Sequence, residues 1–283
     1  MTGETMHHQP SKRKRGEMIA VCSAKGGVGR TTLTVNLAIS LFKKNIKVGI
    51  LDGDFQFGDI GLALDLQSTF SMKDVMEEIE NIDEFSLGNY LCSHESGVKV
   101  LPAPERPEYA DLVTKERVNR VIDLLLQQLD YLVVDTGVGL QEHTIDLIEK
   151  ADQILIVTNL EMATLKNTKL LIETLEVLGL SHKVQLVINR ADMESVIGAN
   201  DVKDILNIED PIYIPNNFQV ASQSLNIGIP FVINQGKTDI AKSFFRMAEQ
   251  LTSRREISFI KEKNPNVLSK LLGFKLGKGG SYE

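Results

Sequence analysis

Two short runs, Leu132-Val133-Val134 and Ile154-Leu155-Ile156-Val157, are apolar at every position rather than at every second one. A strand with one face in water alternates, whereas a strand apolar throughout needs cover on both faces. That requirement points to a central sheet sandwiched between helices. The rest of the chain has the matching rhythm, with short apolar runs separated by longer segments of helical period. The expected strands are Met18–Cys22, Lys47–Leu51, Val98–Leu101, Tyr131–Asp135, Gln153–Thr158, Val184–Asn189 and Ile212–Ile214. The expected amphipathic helices are Thr31–Lys43, Lys115–Gln128, Thr164–Leu178 and Asp239–Thr252, where apolar residues recur three and four apart. The fold class is therefore α/β, a doubly wound, mostly parallel sheet flanked by helices.

With 283 residues, 42% of them hydrophobic, the chain suits one large core. Residues 1–17 are polar, carry Lys12-Arg13-Lys14-Arg15 and show no apolar period, so they read as a disordered basic leader. Residues 18–256 form the folded domain. Residues 257–283 read as a tail, in which Val267–Leu276 sets Leu268, Leu271, Leu272 and Phe274 against lysines and suits a membrane interface. No run reaches the roughly 20 apolar residues of a membrane span, and no secretory signal pattern opens the chain, so a cytoplasmic protein is expected. A net charge of −7 argues against a broad nucleic-acid surface, although Arg246, Arg254, Arg255, Lys261 and Lys263 could form a local patch. The two cysteines, Cys22 and Cys92, lack metal-ligand spacing, and the five histidines pair with no nucleophile in a recognisable motif.

Chemistry concentrates after the first strand, at Lys25-Gly26-Gly27-Val28-Gly29-Arg30-Thr31-Thr32. A strand, a glycine-rich loop and a helix start together make an anion cradle: glycines let backbone N–H groups converge, and the helix start adds positive partial charge. The ordinary Walker A pattern, Gly, four residues, then Gly-Lys-Ser/Thr, is not met, because position 24 is Ala and position 30 is Arg. Two carboxylates follow the second strand in Leu51-Asp52-Gly53-Asp54, and another ends Tyr131-Leu132-Val133-Val134-Asp135. Ligands of open α/β sheets bind at this carboxyl edge.

The variant Lys-Gly-Gly-x-Gly-x-Thr-Thr resembles the deviant Walker A loop of the MinD/ParA family of ATPases, over roughly Met18 to Thr252. The resemblance implies a P-loop NTPase fold with ATP and Mg²⁺ as cofactors. It implies that Gly26, Gly27, Val28, Gly29, Arg30, Thr31 and Thr32 cradle phosphates, with Asp52 and Asp54 near the γ-phosphate and Asp54 orienting the attacking water. Thr31, Asp54 and Asp135 would serve the cation. Asn189, Arg190, Pro215 and Asn216 match positions on the base side. Lys25 would cross to the nucleotide of a second subunit, giving a homodimer in the ATP state, so Lys25, Arg30 and Asp54 are the expected catalytic residues. Arg30 departs from the family's lysine, and its planar fork is aimed differently from an ammonium, so binding with slow hydrolysis is expected.

Within the family, Phe55-Gln56-Phe57-Gly58-Asp59, Leu101-Pro102-Ala103-Pro104, Thr164-Leu165-Lys166-Asn167 and Ser224-Leu225-Asn226-Ile227-Gly228-Ile229-Pro230 look like the TadZ/CpaE branch. That branch implies a switch positioning or assembling a type IVb (Flp/Tad) pilus system, with pilus or secretion proteins as partners and a peripheral place at the inner face of the membrane. The C-terminal stretch is similar to a MinD tail and Asp135-Thr136-Gly137 to FlhG, which imply a division-site or flagellar-number ATPase instead. A ParA-type DNA-partitioning role ranks below both.

Overall fold

The computed structural model describes residues 15–42 and 46–263, and residues 254–263 by their backbone only. Eight strands form one sheet: β1 (Glu17–Ser23), β2 (Val48–Gly53), β3 (Cys92–Ser93), β4 (Lys99–Leu101), β5 (Tyr131–Val138), β6 (Gln153–Thr158), β7 (Val184–Asn189) and β8 (Ile212–Ile214). Their order across the sheet is β3-β4-β2-β5-β1-β6-β7-β8. All pairs run parallel except the two-residue edge strand β3, antiparallel to β4. Among the described residues ten α-helices accompany them: α1 (Arg30–Leu41), α2 (Ile60–Ala63), α3 (Met72–Glu78), α4 (Lys115–Gln128), α5 (Glu142–Lys150), α6 (Met162–Val177), α7 (Ala199–Leu206), α8 (Phe218–Ile227), α9 (Phe231–Asn234) and α10 (Asp239–Lys263). The expected mostly parallel α/β sheet flanked by helices is what the chain forms.

The uninterrupted apolar runs are explained by two cores, one on each face. Met18, Ala20, Cys22, Leu132, Val134, Ile154 and Ile156 join residues of α3, α4, α5, α6 and α7 in one core. The alternate positions Ile19, Val21, Val133, Leu155 and Val157 join α1, α9 and α10 in the other. Each residue of these apolar runs thus serves one face or the other.

Several boundaries differ from the expectation, and the short helices α2, α3, α5, α7, α8 and α9 were not foreseen. Arg15–Glu17 belong to the folded domain, not to a leader: Arg15 pairs with Asp152 at 2.8 Å, the Gly16 amide donates to the Leu126 carbonyl and Glu17 opens β1. The helix expected to end at Thr252 runs through Lys263, past the boundary drawn at 256. Strands β2 and β5 continue beyond Leu51 and Asp135, so that Asp52 and Asp135 lie side by side within the sheet. The basic run before Arg15 and the segment Val267–Leu276 lie outside the described residues.

The order also sets where a ligand can enter. β1 leads to β2 on one side, whereas β6, its other neighbour, leads to β7 on the opposite side. Loops leaving in opposite directions open a crevice at the carboxyl edge, and the glycine loop after β1 lies there.

Candidate functional site

The loop after β1 is shaped by two glycines in the left-handed region, Gly27 at φ 76° and Gly29 at φ 97°. Gly29 is the N-cap of α1; no side chain caps this end, and no acidic residue occupies the first turn. The amides of the helix start are therefore free for an anion, as in a phosphate cradle. Val28 anchors the loop by burying its side chain in the core. The loop borders a cavity of about 530 Å³, to which Gly26, Gly27, Gly29, Arg30, Thr31 and Thr32 contribute. On these observations the loop fits a nucleotide's phosphates.

Asp135 is the electrostatic centre of the site. Its carboxylate is buried and accepts from Arg30 Nε at 2.7 Å, Thr31 Oγ1 at 2.7 Å and Thr34 Oγ1 at 3.3 Å. Arg30 Nη2 also donates to Asp54 Oδ2 at 3.1 Å, so one guanidinium spans both carboxylates. Burial works against the charge of Arg30, but Asp135 and Asp54 outweigh it and raise its pKa. Burial raises Asp135 against the pull of Arg30, Thr31 and Thr34. The hydroxyl of Thr31 against a carboxylate suits a hard cation such as Mg²⁺, which takes oxygen ligands. Arg30, Thr31, Asp54 and Asp135 are thus brought together in one hydrogen-bonded cluster. Thr34 was missed, though it stands one helical turn after Arg30 and so shares its face.

Asp52, expected beside the phosphates, is not among the residues that line the cavity. Its oxygens accept from the amides of Ile60 at 3.0 Å and Asp54 at 3.3 Å, which fixes the loop that carries Asp54. Burial, and then the charge of Asp135, hold its pKa well above the usual carboxylate range. Gly58 packs so closely that a Cβ there would collide with this carboxyl and with Ala103.

Lys25 is half exposed and reaches away from the cavity to Glu161 at 3.2 Å, another residue the sequence reading passed over. On the base side, Asn189, Arg190, Pro215 and Asn216 all line the cavity, together with Phe218, Leu225 and Phe244. The amide of Asn189 is engaged at both ends: Nδ2 donates to the Val28 carbonyl at 2.8 Å, and Oδ1 accepts from the Arg190 amide. Asn189 therefore ties β7 to the glycine loop. Arg190, at φ 56°, contacts the Gly27 carbonyl at 3.5 Å.

Comparison with known proteins agrees with this geometry. The ParA family model, described as "NUBPL iron-transfer P-loop NTPase", matches residues 14–252. The septum site-determining protein MinD of Thermotoga maritima is 28% identical over 244 residues, 83% of this chain and 88% of that protein. Among solved structures, a ParA family ATPase from Chlorobium tepidum superimposes with a TM-score of 0.76 at 23% identity, covering 82% of this chain and 98% of that one. MinD of Pyrococcus horikoshii, complexed with Mg-ADP, gives a TM-score of 0.74 at 24% identity, covering 86% and 98%. With its glycine loop, paired carboxylates and eight-stranded sheet all accounted for, the chain belongs to the ParA family of P-loop NTPases.

Proposed function

We propose that the chain is an ATP-dependent switch that dimerises around its nucleotide and hydrolyses it slowly. The observation that carries this reading is the uncapped start of α1 behind two left-handed glycines, with cavity-lining Thr31 already hydrogen-bonded to Asp135. Gly26, Gly27, Gly29, Arg30, Thr31 and Thr32 would hold the phosphates, and Pro215 and Asn216 would flank the base. Thr31, Asp135 and Asp54 would hold Mg²⁺, which would supply positive charge to offset that of the phosphates. Asp54 would orient water, and Lys25, free of deep burial, would be released from Glu161 to reach a second subunit. The output is the assembly state.

The switch would position a machine at the cell envelope, from the cytoplasmic side. Similarity to the septum site-determining protein MinD favours a role in placing such a machine, as at a division site, and similarity to the flagellum site-determining protein YlxH of Helicobacter pylori, 31% identical over 145 residues, favours one at a flagellum. The reading as a type IVb pilus-assembly protein rests on the segments from Phe55 and Ser224 onwards, and membrane attachment would fall to Val267–Leu276. Among the described residues no helix is long and apolar enough to cross a membrane.

Phosphate release with Mg-ATP tests the catalytic part. The wild type is expected to turn over slowly and Arg30→Lys about 3- to 10-fold faster, since an ammonium releases Asp54 and Asp135 more readily. Absence of ATP binding by both proteins contradicts the proposal.

A further inference from the structure

Asp54 lines the cavity, but the residue after it does not. Phe55 is buried in the core that also holds Met72 of α3 and Leu147 and Ile148 of α5. Its ring is seated against His143, in the first turn of α5: the two rings meet edge-on, with centroids 5.7 Å apart and planes at 80°. The buried Nδ1 of His143 has no hydrogen-bond partner among the described residues. An imidazole nitrogen buried in this way costs stability, so what His143 supplies here is the ring itself, packed against another aromatic. Helix α5 is also the element that follows Asp135, since β5 ends at Val138 and α5 begins at Glu142. The helix is tied back to both strands. Thr144 is buried beside Gly137, and Gly53 lies so close to the helix that a Cβ there would meet Leu147. His143 therefore joins the loop after β2, which carries Asp54, to the segment that follows Asp135.

We infer that His143 is a positioning residue: through its edge-on contact with Phe55 it sets the direction of the Asp54 carboxylate and couples that loop to the start of α5. The inference rests on the proposed role of Asp54 in orienting water, and adds to it a residue that does not line the cavity. The other holds on Asp54 are local or face the cavity. Asp52 accepts from its amide, Arg30 donates to its Oδ2 and the Phe57 amide donates to its Oδ1. Contacts on the cavity side are open to competition by a ligand, whereas the seat of Phe55 in the core is not. Such a seat matters because a displacement of about 1 Å at a reacting centre is enough to cost about 100-fold in rate.

The test is hydrogen exchange on the full-length, nucleotide-free protein, followed by turnover with Mg-ATP. His143→Ala is expected to speed exchange across residues 54–60 by about 3- to 10-fold, the loss of one aromatic pair contact, while β1 and β6 keep wild-type protection. His143→Phe keeps a ring against Phe55 and is expected to exchange as wild type does. With Mg-ATP, kcat of His143→Ala should fall about ten-fold or more with KM within about two-fold of wild type, and His143→Phe should restore it. Exchange over residues 54–60 that stays at the wild-type rate in His143→Ala would overturn the inference. So would a folded His143→Phe protein that behaves like His143→Ala, or a KM that rises as much as kcat falls. Should His143→Ala open the whole sheet, seen as faster exchange in β1 and β6, His143→Leu, with bulk but no ring, takes its place under the same criteria. The exchange arm needs no nucleotide, so failure to turn over ATP would count against the switch reading alone, and exchange would still decide this inference.

Discussion

Single residues in the glycine loop are fixed by shape more than by charge. Gly29 is held at φ 97°, and a Cβ there would run into the Asn189 amide. Gly29→Ala should therefore destabilise the fold by about 1–3 kcal/mol and abolish nucleotide binding, read by thermal melting and by titration with labelled ATP. Asp52 makes a prediction about pH. Its pKa in the fold lies above its unfolded value, so the folded state holds the proton more tightly. The stability this lends is complete below the unfolded pKa and is lost as pH rises toward the folded one. Relative to the permanently neutral Asp52→Asn, wild type should lose melting temperature between pH 4 and neutrality; a constant difference between the two proteins would refute the assignment. Cys22 offers a simpler check. Burial pushes its thiol up to about 12, whereas Cys92 is only half buried. A maleimide at pH 8 should label Cys92 in the native protein and Cys22 only after unfolding.

At the scale of elements, the packing of α9 and α10 against α1 closes one face of the sheet beside the cavity. Phe231 is fully buried and meets Phe244 edge-on at 5.2 Å, and Phe231→Ala should cost about 3–5 kcal/mol by denaturant unfolding. The Asn36 side chain reinforces the contact by accepting from the Val232 amide at 3.2 Å. The long strands and the four longest helices were legible in the sequence because fully apolar runs and sustained helical periods leave few alternatives, whereas α2, α3, α5, α7, α8 and α9 are too short to show such a period. The ends of β2 and β5 were less so: Asp52 reads as a loop residue by polarity, yet register with Asp135 carries it into the strand. Edge strand β3 has two residues and no periodic signal. Within the site, the glycine loop, Thr31, Asp54 and Asp135 were visible as a motif. The contacts Arg30–Asp54, Lys25–Glu161 and Asn189–Val28 were not, because each joins segments far apart in the chain whose meeting depends on strand order. The engagement of Asn189 with the loop backbone is the clearest such case, since an amide at a strand end reads equally well as a base contact.

For the whole molecule, the proposed switch has assembly state as the product of nucleotide binding. Both cations of the loop are paired within the protomer, Arg30 on Asp54 and Asp135, Lys25 on Glu161. The Lys25 pair is solvent-exposed and therefore weak, so little opposes its transfer to a second subunit. A ligand favouring the dimer shifts the population by its differential affinity for the two states. The most direct measurement is the solution mass of the protein without nucleotide, with Mg-ADP and with Mg-ATP, for wild type and Lys25→Ala. The account predicts a species near the 31.4 kDa protomer in the first two conditions, a doubling with Mg-ATP alone, and no doubling for Lys25→Ala. A mass that stays at the protomer with saturating Mg-ATP, or a Lys25→Ala protein that dimerises as well as wild type, would contradict it.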